Sequence, residues 1–289
     1  LNETGIATLY WLHAISPVHV GSGRGSGFID LPVMREKVTN WPVIPGSTVK
    51  GVLRSHFDET ADQRLLQAAF GRADGEDTIA GSLVLGDARL VALPVRSLYG
   101  TFAYCTSALA LARLDRDLDG CSAARPALPQ PAQEALACTH TALQAEGRIY
   151  LEDLDLQVAT SGPVDDWARF LAERVFAGRS AWQRLFVERF VVLPDETFDF
   201  LTETATEVSA RVQLDDNKTA TEGALWYEES LPAESLLCGV AWCDRVYGRN
   251  QPAASVLMEA FCQAELALQV GGKASVGKGQ VRCLFGTGA

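Results

Sequence analysis

The sequence is poor in what several protein classes require. No run approaches the ~18–20 uninterrupted apolar residues of a membrane helix, so no membrane association is expected. The first residues, Leu1-Asn2-Glu3-Thr4, lack the basic and apolar regions of a signal peptide. Seven cysteines (105, 121, 138, 238, 243, 262 and 283) are odd in number, scattered, and form no C-x-x-C pair; the four histidines (13, 19, 56 and 140) are equally dispersed. Neither a disulfide framework nor a zinc site fits that spacing. Reduced structural thiols in a cytoplasmic protein are the expectation. Basic charge is also short: 25 Lys and Arg face 36 Asp and Glu, a net charge of −11, which by itself speaks against a nucleic-acid protein.

The distribution of that charge alters the inference. Residues 1–54 hold five basic residues against three acidic, and residues 271–289 hold three basic and none acidic, so the acidic excess lies between them. Local potential, not the total, attracts a polyanion, and the two ends could form one positive surface on an acidic body. At 289 residues and 47% hydrophobic content, a core is readily built, and 1–289 reads as a single domain.

Along the chain, Thr8–Val20 reads as a strand that ends in glycines, and the loop from Gly21 to Pro45 is longer than an idle loop usually is. Gly46-Ser47 reads as an N-cap, with Ser47 accepting N–H bonds from the first turn of a helix to about Phe57. A second helix follows to Gly71. Strands are expected at 82–90 and 101–104, a helix at 107–118, a strand at 149–158, a helix at 165–176 and a strand at 186–193. Residues 119–147, with Pro126, Pro129 and Pro131, read as a loop or insertion outside the core. Val208–Leu214 alternates as a hairpin arm does, with Ala224–Glu228 as its return, so a hairpin is placed within 194–226. A strand at 236–246, a helix at 252–266 and a last strand at 280–285 close the chain. Strands and helices interleave without a βαβ rhythm, which favours an α+β fold.

Chemistry concentrates in two glycine loops and one helix start. The first loop, Gly21-Ser22-Gly23-Arg24-Gly25-Ser26-Gly27, leaves backbone N–H groups uncovered and ends at a lone carboxylate, Asp30. It is not a dinucleotide fingerprint, since Ser26 stands where a third glycine is wanted and no helix follows. The second, Gly271-Gly272-Lys273-Ala274-Ser275-Val276-Gly277-Lys278-Gly279, contains G-x-x-x-x-G-K, but Gly279 replaces the Ser or Thr of a P-loop and only ten residues remain. Both loops suit a nucleic-acid backbone, which N–H groups and ammonium groups neutralise. On the Ser47 helix, Lys50 and Arg54 are four apart and share a face, a plausible phosphate site with the helix dipole. Asp30 reads either as a loop cap or salt-bridge partner of Arg35, or as a group that binds a metal or moves a proton.

Three sets of residues together resemble a known family. His19-Val20-Gly21-Ser22-Gly23, Ile29-Asp30-Leu31-Pro32-x-x-Arg35-Glu36 and Ile44-Pro45-Gly46-Ser47-x-x-Lys50-Gly51-x-x-Arg54 resemble the N-terminal signature of the RAMP superfamily of CRISPR proteins. More specifically they are similar to the backbone subunit of the type III-B (Cmr) effector complex. Agreeing with this are Pro94–Tyr104, Arg211-Val212-x-Leu214-Asp215 with Gly223–Pro232, and the C-terminal glycine loop. Residues 119–147 match nothing in that pattern.

The resemblance implies an RRM-like (ferredoxin-like) palm with long insertions and a protruding thumb hairpin. It implies copies stacked in a helical filament along a guide crRNA with other Cmr subunits, and complementary target RNA cut at regular intervals. Asp30 would be the catalytic residue, aided by a divalent metal (Mg or Mn) whose ligands the sequence does not reveal, with no organic cofactor. The target's own 2′-hydroxyl would attack the adjacent phosphate. The implied RNA-binding set is His19, Gly21, Ser22, Gly23, Arg24, Arg35, Ser47, Lys50, Arg54, Arg211, Lys218, Gly272, Lys273, Gly277 and Lys278. Rival readings are a non-catalytic crRNA-binding subunit, and an endoribonuclease that processes precursor crRNA.

Overall fold

The computed structural model describes residues 6–286 apart from 24, 26, 75–76, 120–124, 215–219, 248–250 and 264; side-chain surroundings are not described for 73–74, 77–78, 214 and 220–224. Among the described residues no helix is long and apolar enough to cross a membrane.

The centre of the molecule is β1 (Ile6–Ala14), flanked on both sides by antiparallel neighbours from the C-terminal part of the chain, 236–243 and 280–285. Its side chains alternate between two cores: Tyr10 and Leu12 enter one, Leu9 and Trp11 the other, all at most 1% exposed. A strand covered on both faces reads as a continuous apolar run, which is why Thr8–Val20 stood out.

Following β1, the chain forms β2 (Val43–Ile44), α1 (Gly46–Phe57), α2 (Gln63–Phe70), β3 (Gly71–Asp74), β4 (Asp77–Ala80), β5 (Val84–Leu85), β6 (Ala88–Arg96), β7 (Phe102–Ser107) and α3 (Ala108–Leu118). Then come β8 (Ala135–Ala137), β9 (Gln144–Ala145), β10 (Arg148–Leu151), β11 (Leu154–Thr160), α4 (Gly162–Val175), α5 (Ser180–Arg189), β12 (Phe190–Leu193) and α6 (Asp195–Thr204). The last part contributes β13 (Glu207–Leu214), β14 (Ala220–Ser230), β15 (Leu236–Cys243), α7 (Ala254–Phe261), β16 (Glu265–Gln269) and β17 (Gln280–Phe285). One mixed sheet runs β16-β17-β1-β15-β6-β7-β12-β8-β11-β10-β9, with β2 on β6 and β5 on β15; β13-β14 and β3-β4 are separate ribbons. Helices α1, α2 and α7 cover one face through Val49, Leu53, Leu66 and Phe261. Helices α3, α4 and α5 cover the other through Leu111, Leu114, Trp167, Leu171 and Phe186. The α+β reading of the sequence holds at this level.

Several boundaries differ from the sequence reading. The segment 119–147 is not outside the core: β8 lies between β12 and β11, and Ala135, Ala137, Cys138 and Leu143 are fully buried. A three-residue strand with two alanines carries no propensity signal; its neighbours make it a strand. The expected strand 149–158 is a hairpin turning at Glu152, which has φ 48°. The first half of the expected strand 186–193 is the end of α5, and the second half is β12. The hairpin lies over 207–230, because Asp195–Thr204 is helical, with Phe198, Leu201 and Thr202 inward and Asp195 and Glu196 at the N-terminal dipole. The helix expected over 252–266 stops at Phe261, and β16 takes the rest.

The α1 start also differs. Pro45 is the N-cap, and no side chain of the helix itself caps it; Ser47 lies exposed in the first turn. The cap comes from the β5–β6 turn, where Asp87 Oδ1 accepts the Gly46 N–H at 2.8 Å. A Cβ on Gly46 would stand 2.0 Å from the Leu85 carbonyl oxygen, so only glycine permits this approach.

All described cysteines are free and lie in the interior or half-buried. Burial pushes the thiols of Cys105, Cys138 and Cys283 far up, and that of Cys262 up to about 12, leaving them protonated and unreactive.

Asp87→Ala is therefore expected to lower unfolding free energy by about 1 kcal/mol, while Ser47→Ala changes it by no more than ~0.5 kcal/mol. Urea titrations of the two variants check this, and the reverse order would restore Ser47 as the cap.

Candidate functional site

The hairpin β13–β14 organises the site. Its register pairs Ala210 with Tyr227, Arg211 with Trp226 and Val208 with Glu229. Side chains alternate faces along a strand, so the neighbours Glu228 and Glu229 point to opposite sides of the ribbon. Both are buried, 1% and 2% exposed, and each holds a different glycine loop.

Glu229 holds the first loop. Its Oε2 accepts the Val33 N–H at 2.9 Å; its Oε1 accepts Arg35 Nη2 at 2.5 Å and Thr206 Oγ1 at 2.9 Å. Arg35 also donates to the Thr202 carbonyl near the end of α6 and to the Asn40 carbonyl. The Glu229 carbonyl accepts from Nδ1 of His19 at 2.6 Å, which fixes the proton of that buried imidazole on Nδ1. The free edge of β14 extends the grip: Leu31 N–H donates to Tyr227 O, Glu229 N–H to Leu31 O, and Val18 and Leu231 exchange both bonds.

The loop is further closed on itself by Ser22 N–H to Pro32 O and Gly25 N–H to Asp30 O. A Cβ on Gly25 would meet Ile29 O at 2.4 Å, and Gly23 has φ +101°, so the tight path needs glycine at both positions. Asp30 emerges exposed from this frame. Its Oδ2 accepts the Tyr227 N–H at 2.8 Å. Asp30 thus does not pair with Arg35, which is taken by Glu229.

Glu228 holds the second loop. Lys278 is buried and donates to Glu228 Oε1 at 2.8 Å and to Ser230 Oγ at 2.7 Å, while Lys273 Nζ lies 3.2 Å from Oε2. Burial alone would raise the Glu228 carboxyl; the hydrogen bonds and charges of Lys278 and Lys273 outweigh it and hold the group below the usual carboxylate range. Gly272 N–H donates to His19 O and Gly279 N–H to Pro17 O, so the two loops also touch directly. Lys273 has φ 68°, and its ammonium lies 5.9 Å from the Trp226 ring centre.

The structure thus brings His19, Gly21, Ser22, Gly23, Asp30, Arg35, Arg211, Gly272, Lys273, Gly277 and Lys278 to the hairpin base or the two loops beside it. Arg24 and Lys218 lie outside the described residues. The positive ends of the chain are largely spent inward, since Arg35 and Lys278 neutralise buried glutamates and Lys273 is half-committed. On α1, Lys50 is turned to the Leu83 carbonyl at 2.7 Å, and burial lowers its pKa. Asp87 already occupies the α1 N-terminus. Arg54 stays exposed, beside a groove of about 450 Å³ between Gly51, Val52, Ser55 and His56 of α1 and Ala267–Gln269 of β16. A larger groove, about 670 Å³, opens between the 34–39 loop and α3, but there Arg113 is already bidentate to Glu36. Glu228 and Glu229 fall inside the stretch Gly223–Pro232 with no role assigned there; two adjacent acids directly after Leu225-Trp226-Tyr227 are the available signal.

No group of three His, Cys, Asp or Glu side chains able to cage a metal occurs among the described residues. Asp30 offers one carboxylate with one oxygen already engaged.

A family model described as the RAMP superfamily matches residues 11–282. The CRISPR system Cmr endoribonuclease Cmr4 of Pyrococcus furiosus is 32% identical over 285 residues, covering 96% of this chain and 94% of that protein. The crystal structure of oligomeric Cmr4 from the same organism superposes with a TM-score of 0.75 at 27% identity, over 97% of each chain. A chain of the type III-B Cmr-beta complex bound to cognate target RNA shares the fold, with a TM-score of 0.74 at 20% identity over 97% of each chain.

Glu228→Gln leaves Lys278 buried without its counter-charge and is expected to cost about 3–5 kcal/mol at pH 7. Because the Glu228 pKa is depressed in the folded state, its stabilisation is complete above the usual carboxylate range and is lost as pH falls below it. Unfolding titrations from pH 7 to pH 3 should show the wild type losing this contribution and the variant lacking it throughout; equal stability of the two at pH 7 would refute the assignment.

Proposed function

The chain belongs to the RAMP superfamily, and from that premise we propose that it is the crRNA-binding backbone subunit of a type III-B CRISPR effector that cuts complementary target RNA beside Asp30. The observation that carries this reading is the placement of Asp30: an exposed carboxylate, with one oxygen unengaged among the described residues, on a loop clamped to the separate β13–β14 hairpin. In this reading the sheet around β1 with α1 is an RRM-like (ferredoxin-like) palm, and β13–β14 is the thumb. Copies stack head to tail along the guide, an open heterologous assembly, together with other Cmr subunits.

RNA phosphates are met by the exposed Ser22, Ser47 and Arg54 and the half-exposed Arg211 and Lys273, with Gly21, Gly23, Gly272 and Gly277 leaving room for the RNA backbone to approach the two loops. His19, Arg35, Lys50 and Lys278 act from inside by holding those loops and α1 in place. The thumb interrupts the guide–target duplex, and the displaced nucleotide adopts the in-line geometry that A-form pairing forbids. The target 2′-oxygen then bonds to the adjacent phosphorus while the bond to the 5′-oxygen breaks, leaving a cyclic phosphate and a 5′-hydroxyl. Asp30 takes up the 2′-hydroxyl proton and water returns one to the leaving oxygen. DNA lacks the nucleophile and is not cut.

Among the described residues no side-chain cluster cages an ion by itself. Mg²⁺ keeps several waters and binds through one or two carboxylates plus substrate phosphate, a requirement that Asp30 and the target phosphate meet together. A Mg²⁺ or Mn²⁺ held there supplies neutralisation of the phosphate charge.

Complex assembled with guide crRNA and partner subunits, given labelled target RNA and Mg²⁺ or Mn²⁺, tests the reading. Asp30→Ala should slow cutting about 10²–10⁴-fold, the range of a general acid–base group, with target binding kept; chelation by EDTA should stop cutting without releasing guide. Undiminished cutting by the variant would move the chemistry elsewhere. Tight binding with no cutting by the wild type would identify a structural subunit.

A further inference from the structure

Two residues before Asp30, Phe28 is 77% exposed. Its ring is stacked on that of Tyr227, with centroids 4.7 Å apart and planes inclined by 30°. Large apolar side chains normally gain by burial, yet only one face of this ring is covered, and the other is open to solvent. Tyr227 serves both neighbours: its N–H holds the Asp30 carboxylate and its ring backs Phe28. The carboxylate and the aromatic face are therefore fixed to the same residue of the hairpin. The residue before Phe28 is Gly27, where a Cβ would meet nothing within 4 Å and no positive φ is present. The fold itself does not require glycine there.

We propose that the Phe28–Tyr227 pair is a stacking platform for one unpaired nucleobase of the RNA whose phosphate lies at Asp30. This rests on the reading of Asp30 as the cutting residue and deepens it. An open aromatic face takes any base, because every base has a π-face, so the platform sets the position of the nucleotide and not its identity. Stacking holds the sugar that carries the attacking hydroxyl, which a flipped nucleotide would otherwise swing freely, and orientation is a large part of the barrier in such a reaction. Phe28 is a positioning residue; Asp30 remains the group at the reacting atoms.

The test uses the assembled complex and target RNA in which 2-aminopurine replaces, one position at a time, the nucleotides across the mapped cut. Stacking on an aromatic ring quenches this base. One position should be quenched in the wild type and brighten in Phe28→Ala. The same variant should cut about 5- to 150-fold more slowly in single turnovers, the equivalent of about 1–3 kcal/mol for one base–aromatic stack, with target affinity within about threefold. Phe28→Trp should restore both signals. Asp30→Ala should stop cutting yet keep the quenched position, so the platform and the nuclease reading fail separately. Because Phe28 is exposed, its variant should keep the thermal midpoint of the wild type. Unchanged quenching and cutting in Phe28→Ala would overturn the proposal. So would a Phe28→Trp variant as defective as Phe28→Ala, or loss of assembly in Phe28→Ala, which would assign the ring to a subunit contact.

Discussion

Two adjacent glutamates on one strand, aimed in opposite directions, hold the functional end of this molecule together. Strand alternation places Glu229 against the N-terminal glycine loop and Glu228 against the C-terminal one. Neither carboxylate is tolerable in the interior alone, because a buried charge must be paired. Each is paired with a cation from a remote part of the chain: Arg35 lies 194 positions from Glu229, and Lys278 lies 50 from Glu228. The hairpin, the Asp30 loop and the final loop are thus one electrostatic unit, and Asp30 inherits its position from it.

The same pairing shows where the basic excess at the two ends of this acidic chain goes. The basic excess at the two ends does not form a broad positive surface. Much of it neutralises Glu228 and Glu229 internally, and Lys50 satisfies a carbonyl. What faces outward near the site is the Asp30 carboxylate, the partly exposed Lys273 and apolar side chains of the hairpin: Val208, Val212 and Leu225 are each about half exposed. Recognition of that kind depends on shape and on fixed dipoles more than on bulk potential. The hairpin thus shows apolar side chains on its surface, while Glu228 and Glu229 within it are buried.

Other polar groups repeat this logic just before the start of β15. Glu234 Oε2 accepts from Tyr104 Oη at 2.9 Å and lies 2.7 Å from His13 Nε2, while Arg282 reaches His13 Nδ1 and is bidentate to Glu265. Since the guanidinium only donates, Nδ1 accepts and the Nε2–H faces Glu234. The strand at the centre of the sheet is thereby tied by side chains at its end as well as by its ladders. Its surroundings are aromatic and closed, with Phe176 against the His13 ring, which makes this cluster a brace and not a reaction site.

Local chemistry sufficed for much of this. The glycines after Val20, the alternation at 208–214, the apolar stripe of α4 and the helix to Phe57 follow from steric freedom and periodicity, which are properties of a few neighbouring residues. The same is true of Asp30 as a lone acid at the end of a glycine loop. Local pattern was silent where distant parts of the chain decide. The caps of α1 come from Asp87, 41 positions beyond Gly46, while Ser47 had the right type and the wrong place. β8 is a strand only because β12 and β11 lie beside it. Arg35 and Lys278 looked like surface cations until the fold placed a buried carboxylate beside each. Periodicity and residue type determined the central strand, the longer helices and where the lone carboxylate Asp30 sits in the chain. Which charges face solvent was decided by tertiary contact alone, because the cost of burying a glutamate is met only by a partner brought in from elsewhere.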